Sequence, residues 1–300
     1  MVSELSILIP VYNYDVTELA LSLLKQCRQV TSNFEICLYD DGSEEKFRKK
    51  HRPLNSYDEI RYLELRYNIG RASIRNRLAA DAVYKNLLFL DNDSALPDEE
   101  FISRYWNNPE KADVLIGGTI YEAEQPSDLF MLRWRYGKAR EEKTAAVRNK
   151  QPYRSLTLNN MLIRKDVYET HPLYTGLEGY GHEDTRFGWE LQKAGVSVKH
   201  IDNPVIHMGL EPGVDFIKKT KQAVKNLHKL YLEMGDLPDS SLLKAYRMLA
   251  RAKARKAFLL AFRPFKATVL TNLKSDDPNL TYFDLYKLYL FTKQALSHSK

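Results

Sequence analysis

Three acidic sequences stand where their carboxylates could do chemistry. Asp91-Asn92-Asp93 closes the apolar run Asn86-Leu87-Leu88-Phe89-Leu90. Two carboxylates on one turn offer oxygen ligands to Mg2+ or Mn2+ and leave coordination positions for substrate phosphates. A solvated turn or a helix cap uses the same residues. His207, following Pro204-Val205-Ile206, is either a further ligand that would favour manganese or a packed, hydrogen-bonded imidazole. Asp40-Asp41-Gly42-Ser43 can accept hydrogen bonds from a base or ribose, or cap the helix after it. Asn68-Ile69-Gly70-Arg71 and Arg75-Asn76 precede and open a helix, where backbone N–H groups and Arg75 suit a diphosphate. That segment has neither the Gly-x-Gly-x-x-Gly spacing of a dinucleotide fold nor the Gly-Lys-Ser/Thr of a P-loop. Glu183-Asp184, after Gly179-Tyr180-Gly181-His182, puts carboxylates at the positive end of a helix, for catalysis or as an acidic cap.

The elements that must position these residues alternate. Apolar, branched runs predict strands at Leu5–Val11, Phe34–Tyr39, Ile60–Leu65 and Asn86–Leu90, with helices over Val16–Val30 and Ile74–Tyr84 between them. Strands alternating with helices mean a mostly parallel sheet with crossover helices. In such sheets function gathers beyond the carboxyl ends of the strands. Three of the four strand ends carry Tyr12-Asn13, Asp40-Asp41 and Asp91/Asp93 there. Further strands are expected from Val114, over Leu158–Arg164 and over Val196–Ile201, with a helix over Glu183–Ala194. Glu122–Arg154 reads as a long loop or broken helix, a form often functional in compact domains. Its Arg133 to Arg154 portion and Leu158-Asn159-Asn160-Met161 are expected to close over a bound ligand or to cover the sheet edge. Beyond Pro212 the pattern is helical, with breaks near Pro238, Pro264 and Pro278.

Ser6-Ile7-Leu8-Ile9-Pro10-Val11-Tyr12-Asn13, Tyr39-Asp40-Asp41-Gly42-Ser43, Asn68-x-Gly70 with Arg75-Asn76, Leu90-Asp91-Asn92-Asp93 and Gly181-His182-Glu183-Asp184, in this order and spacing, resemble glycosyltransferase family 2 over about residues 5–210. The resemblance implies a GT-A fold with a Rossmann-like, mostly parallel α/β sheet. It also implies a nucleoside-diphosphate sugar donor, such as a UDP-sugar, and inversion at the anomeric carbon. Carried over by position, Pro10, Tyr12, Asp40, Asp41, Asn68 and Arg75 would surround the nucleotide, with Asp91 near the donor sugar or ribose. Asp93 would bind Mn2+ or Mg2+, joined more loosely by His207. Asp184 would be the base, with Glu183 and Asn160 on the acceptor side. A nucleotide-sugar domain of about 1–120, an acceptor side of about 121–212 and a helical extension of 213–300 follow. The acceptor would be a saccharide or a lipid-linked one, in polysaccharide or glycolipid synthesis.

Composition is that of a globular chain, with 44% hydrophobic and 28% charged residues. The chain enters an apolar strand directly after Met1-Val2-Ser3-Glu4 and has no long apolar run, so a cytoplasmic protein is expected. Cys27 and Cys37 are read as two buried thiols. From Gly213 to Lys300 there are 17 Lys/Arg against 7 Asp/Glu, a balance of +10 within a total of +6. The remaining 212 residues are therefore at −4. A helix over Leu242–Phe262 would place Lys244, Arg247, Arg251 and Arg255 on one face. That face suits solvent, an anionic membrane surface or a lipid-diphosphate acceptor. Little aromatic interleaving argues against nucleic acid. Two other functions fit the same residues: a sugar-nucleotide-forming nucleotidyltransferase, although residues 10–20 carry no basic glycine-rich loop, and a non-enzymatic basic adaptor.

Overall fold

In chain order the strands are Leu5–Val11 (β1), Phe34–Asp40 (β2), Ile60–Glu64 (β3), Asn86–Leu90 (β4), Ser94–Ala95 (β5), Val114–Ile116 (β6), Thr119–Ile120 (β7), Asn160–Arg164 (β8), Val198–His200 (β9) and Val205–His207 (β10). The structure, a computed structural model, describes residues 2–235 and 240–297. Seven strands form one sheet in the order β3-β2-β1-β4-β8-β6-β9. β1 to β4 run parallel, β8 runs antiparallel to both β4 and β6, and β9 rejoins β6 in parallel.

The apolar runs are continuous because the sheet is covered on both faces. Alternate residues of each strand serve opposite cores. Ile7, Ile9, Ile36 and Leu38 pack on one side with Leu19, Leu23 and Leu24 of the helix Thr17–Val30. Leu8, Cys37 and Tyr39 pack on the other with Ile74 and Leu78 of the helix Arg71–Asp81. Cys27 belongs to the first core and Cys37 to the second. The sheet therefore lies between the two free thiols, and burial pushes each up to about 12.

After β6 the chain leaves the large sheet through Gly117-Gly118 and joins a second sheet of order β5-β10-β7. Gly118 has φ +95°, and a Cβ there would stand 2.6 Å from the Arg148 guanidinium. Arg148, 5% exposed, donates to the carbonyls of Ile116, Gly117, Ile201 and Lys143 and so clamps this crossing. The apolar run before His207 is the strand β10, while the two-residue strands β5 and β7 carry too little pattern to be read in advance.

The chain divides into two units, residues 1–122, 142–176 and 183–209, and residues 123–141, 177–182 and 210–300. The boundaries run through the 121–212 segment. The broken-helix reading of Glu122–Arg154 holds as short pieces: Met131–Tyr136, a π turn at Gly137–Glu141 and Ala145–Arg148. The second unit is built on the helices Gly213–Met234, Ser241–Arg251, Arg255–Phe262, Lys266–Asn272 and Leu280–Ser297. Phe283, Tyr286 and Phe291 of the last helix are buried among Phe216, Leu227, Leu243, Phe262 and Val269. Breaks fall at Pro264 and Pro278 as read, while Pro238 lies outside the described residues. The single helix expected over Leu242–Phe262 is two helices. Lys253 takes φ +54°, and the N–H of Ala254 donates to Leu249 O at 2.9 Å, a helix-ending pattern usually marked by glycine. Arg255 consequently starts the second helix and donates to the Tyr246 hydroxyl, away from the cation row of Lys244 and Arg251. Among the described residues no helix is long and apolar enough to cross a membrane.

Candidate active site

The carboxyl ends of β1, β2 and β4 lie on one edge because these strands are parallel. Asp91 begins a tight turn there: its N–H donates to Asn159 O at 3.3 Å, and the Ser94 N–H donates to Asp91 O at 3.2 Å. Its side chain is gripped from the helix Arg71–Asp81. Arg75, 3% exposed, donates to Asp91 Oδ1, and Arg71 stands 3.8 Å from Oδ2. These arginines are four residues apart and so share a helix face. Arg71 also reaches Glu183 Oε1 at 3.8 Å. One guanidinium thus joins the β4 turn to the start of the helix Glu183–Lys193.

Asp93 is placed by different means. The β5–β10 pairing sets Ser94 opposite His207, and the Met208 N–H donates to Asp93 O at 2.8 Å. His207 Nδ1 comes to 3.7 Å from Asp93 Oδ1, with the Tyr121 ring edge-on to the imidazole at 5.3 Å. A Cβ on Gly209 would fall 2.1 Å from Asp93 Oδ2, so the carboxylate occupies space that only glycine leaves open. Burial, then the charge of Asp93, pushes the Tyr14 phenol upward. Among the described residues no group of three or more His, Cys, Asp or Glu is arranged to hold a metal ion. Asp93 and His207 form a two-donor set. One hard oxygen and one imidazole nitrogen suit Mn2+, or Mg2+ with more oxygens from substrate and water, so these residues fit such an ion.

The other expected residues separate by burial. Asp40 is fully buried, and its carboxylate accepts from the N–H groups of Gly42 and Ser43 and from the Tyr62 hydroxyl. This sets it apart from the nucleotide contacts, because its oxygens are enclosed by its own loop and by Tyr62 of β3. Asp41, 4% exposed, accepts from Ile69 N–H at 2.7 Å and Gly70 N–H at 3.1 Å. Burial pushes its carboxyl upward, opposed by those two bonds. It therefore fixes the Asn68–Gly70 loop. Pro10 is half-buried, Asn68 is exposed, and Tyr12 and Tyr67 are exposed rings on the adjoining loops. Asn160 is corrected as well. It is fully buried, accepts from Tyr105 and donates to Gly118 O and Asn203 O, so no atom is left for an acceptor. Asp184 is half-buried and accepts the Thr185 N–H at 2.7 Å.

Three residues given no role from sequence belong to this site. Arg71 could have been found from its spacing to Arg75. Gly209 and Tyr14 carry no local signal, because strand pairing and loop packing bring them in.

Residues 6–171 match the model described as Glycosyl transferase family 2, more than half of the chain. The chain belongs to glycosyltransferase family 2. That membership sets aside the nucleotidyltransferase and adaptor readings. Among curated proteins none matches significantly. Solved structures do. A mannosyltransferase, PcManGT from Pyrobaculum calidifontis, in complex with GDP-Man and Mn2+, is 14% identical with a TM-score of 0.57, over 98% of this chain and 86% of that one. The S. aureus TarS 1–349 structure is 17% identical with a TM-score of 0.51, over 99% and 92%. Glucosyl-3-phosphoglycerate synthase from Mycobacterium tuberculosis, in complex with Mn2+, UDP and glucosyl-3-phosphoglycerate, is 14% identical with a TM-score of 0.51, over 79% and 82%. At such identities the likeness is one of fold, and that fold is GT-A.

Proposed function

We propose that this protein transfers a sugar from a UDP-sugar to an acceptor hydroxyl with inversion, in cytoplasmic assembly of a polysaccharide or glycolipid. The observation that carries this reading is the single guanidinium of Arg71 joining Asp91 to Glu183. A donor sugar at Asp91 and an acceptor at Glu183-Asp184 would then be neighbours, as direct displacement requires. Tyr12, Pro10 and Asn68 offer a surface for base and ribose, Asn68 standing on the loop that Asp41 fixes. Arg75 orients Asp91 and contributes positive charge beside the diphosphate.

Asp93 and His207 would hold Mn2+ or Mg2+, an ion also named in the PcManGT and synthase complexes. When bound, such an ion offsets charge developing on the leaving diphosphate. Asp184 takes the proton of the acceptor hydroxyl as its oxygen attacks, and one base is enough for a single displacement. Glu183, held by Arg71, orients that hydroxyl.

Titration calorimetry with UDP tests the reading. Binding with Mn2+ should weaken by roughly tenfold or more in EDTA. Equal affinity in both buffers would refute a metal-assisted nucleotide site.

A further inference from the structure

Between Ser240 and Ser275 the chain has nine Lys or Arg and no Asp or Glu. Elsewhere several exposed cations have carboxylate partners, as Arg28 has Glu59 and Arg52 has Glu45 and Glu64. Lys244, Arg251, Lys253, Lys256 and Arg263 form no ion pair among the described residues. A merely solvated face would gain from interspersed acids, which reduce self-repulsion.

The same stretch exposes large apolar side chains. The helix Ser241–Arg251 buries Leu243 and Tyr246, and the helix Arg255–Phe262 buries Phe262. On the opposite sides Met248 is 69% exposed and Leu260 73%, and Phe265, just before the helix Lys266–Asn272, is 63% exposed. The two outer faces repeat one pattern. Lys244, Met248 and Arg251 stand at i, i+4 and i+7, and Lys256, Leu260 and Arg263 stand at i, i+4 and i+7 twelve residues later. Each helix thus presents an apolar side chain between two cations, and the αL turn at Lys253 joins them.

We propose that residues 241–272 form a docking surface for an anionic lipid bilayer. Met248, Leu260 and Phe265 enter the boundary between headgroups and acyl chains, while the flanking Lys and Arg meet lipid phosphates. Helices of 11, 8 and 7 residues are too short to span and suited to lying in the interface. A polynucleotide would answer the cations but would give no reward for exposing Met248 and Leu260, and stacking would have only Phe265.

The proposal stands apart from the catalytic reading, and its test uses no sugar donor. The full chain is sedimented with vesicles of phosphatidylcholine alone or with about 30 mol% phosphatidylglycerol. The bound fraction per lipid should rise roughly tenfold or more with the anionic lipid and fall with added salt. Leu260→Ser with Phe265→Ser should lower partitioning about tenfold. Lys256→Gln with Arg263→Gln should lower it and flatten the salt dependence, with melting curves showing both variants folded. Equal partitioning into both vesicle types overturns the proposal. So does unchanged partitioning of the serine variant together with displacement from vesicles by a duplex oligonucleotide, which would mark a polyanion site.

Discussion

Around Arg148 every polar side chain is answered by the protein itself. Its guanidinium meets four carbonyls and His200, and Asn149, Asn160 and Asn203 have both ends of their amides bonded. Around Asp91 and Asp93 the carboxylates are half-buried; Arg75 donates directly to Asp91, and the remaining charged partners come from other elements at 3.7 to 3.8 Å. The first cluster lies at the ends of β6 and β9 and the second at the end of β4, yet one is closed and the other leaves capacity for a ligand. Complete satisfaction marks a structural network, because a buried polar group left alone is costly. Residual capacity in a partly shielded place marks chemistry. By this criterion Asp40 and Asn160 belong with Arg148, whatever their motif suggests.

The comparison is broken most directly by substitutions that should act on one cluster only. Asp184→Asn keeps size but cannot accept a proton, so transfer should fall by about 10²–10⁴ with UDP–Mn2+ affinity unchanged. Near wild-type transfer would shift the base to Glu183. Arg148→Met leaves its carbonyls unanswered and should cost about 3–5 kcal/mol. At roughly 2–4 °C per kcal/mol, a melting scan should read a drop of several degrees or more. An unchanged melting point would mean that the closed cluster carries no stability.

His200 sharpens the contrast through pH. Arg148 can only donate to its Nδ1 (2.8 Å), so Nε2 must carry the proton given to Pro152 O (2.9 Å), and the ring is neutral. Burial, chiefly, lowers its pKa to about 4, against about 6.5 in an unfolded chain. Between these values the unfolded chain binds more protons, so stability rises with pH and is lost as pH falls from 6.5 towards 4. His200→Gln should remove about 2–3 kcal/mol of that dependence, seen as a flatter plot of melting temperature against pH. A slope identical to wild type would contradict the neutral, closed ring. Smallest, His207→Ala should weaken metal-dependent UDP binding about 10- to 100-fold without moving the melting point. A shift in melting with no change in binding would place His207 among the structural residues.

The parallel half of the sheet was legible because each strand is an apolar run ended by a polar cluster, and the five motifs supplied the family. The carboxyl-edge position of Tyr12, Asp41 and Asp91 followed from that pattern alone. Burial did not. Asp40 and Asp41 are adjacent and chemically identical, and only packing shows that one is enclosed by its own loop while the other anchors its neighbour. The β5-β10-β7 sheet was invisible as a sheet because β5 and β7, with two residues each, show no periodicity. The place of Gly209 beside Asp93 depends on that sheet. The break at Lys253 was missed because neither glycine nor proline marks it.

The order of the large sheet also dictates a schedule of synthesis. β4 pairs with β1 on one side, but its other edge waits for β8, about 70 residues further along, and His207 and Gly209 emerge last of the site residues. At about 5–20 residues per second, a nascent chain carries Leu87–Leu90 as an open apolar edge for several seconds, longer than a hairpin would. Such an edge recruits other strands. Arrested chains carrying residue 120 clear of the ribosome tunnel should therefore collect chaperone or aggregate, while chains carrying residue 210 clear of it should do neither. Binding of UDP with Mn2+ should begin only at the longer length.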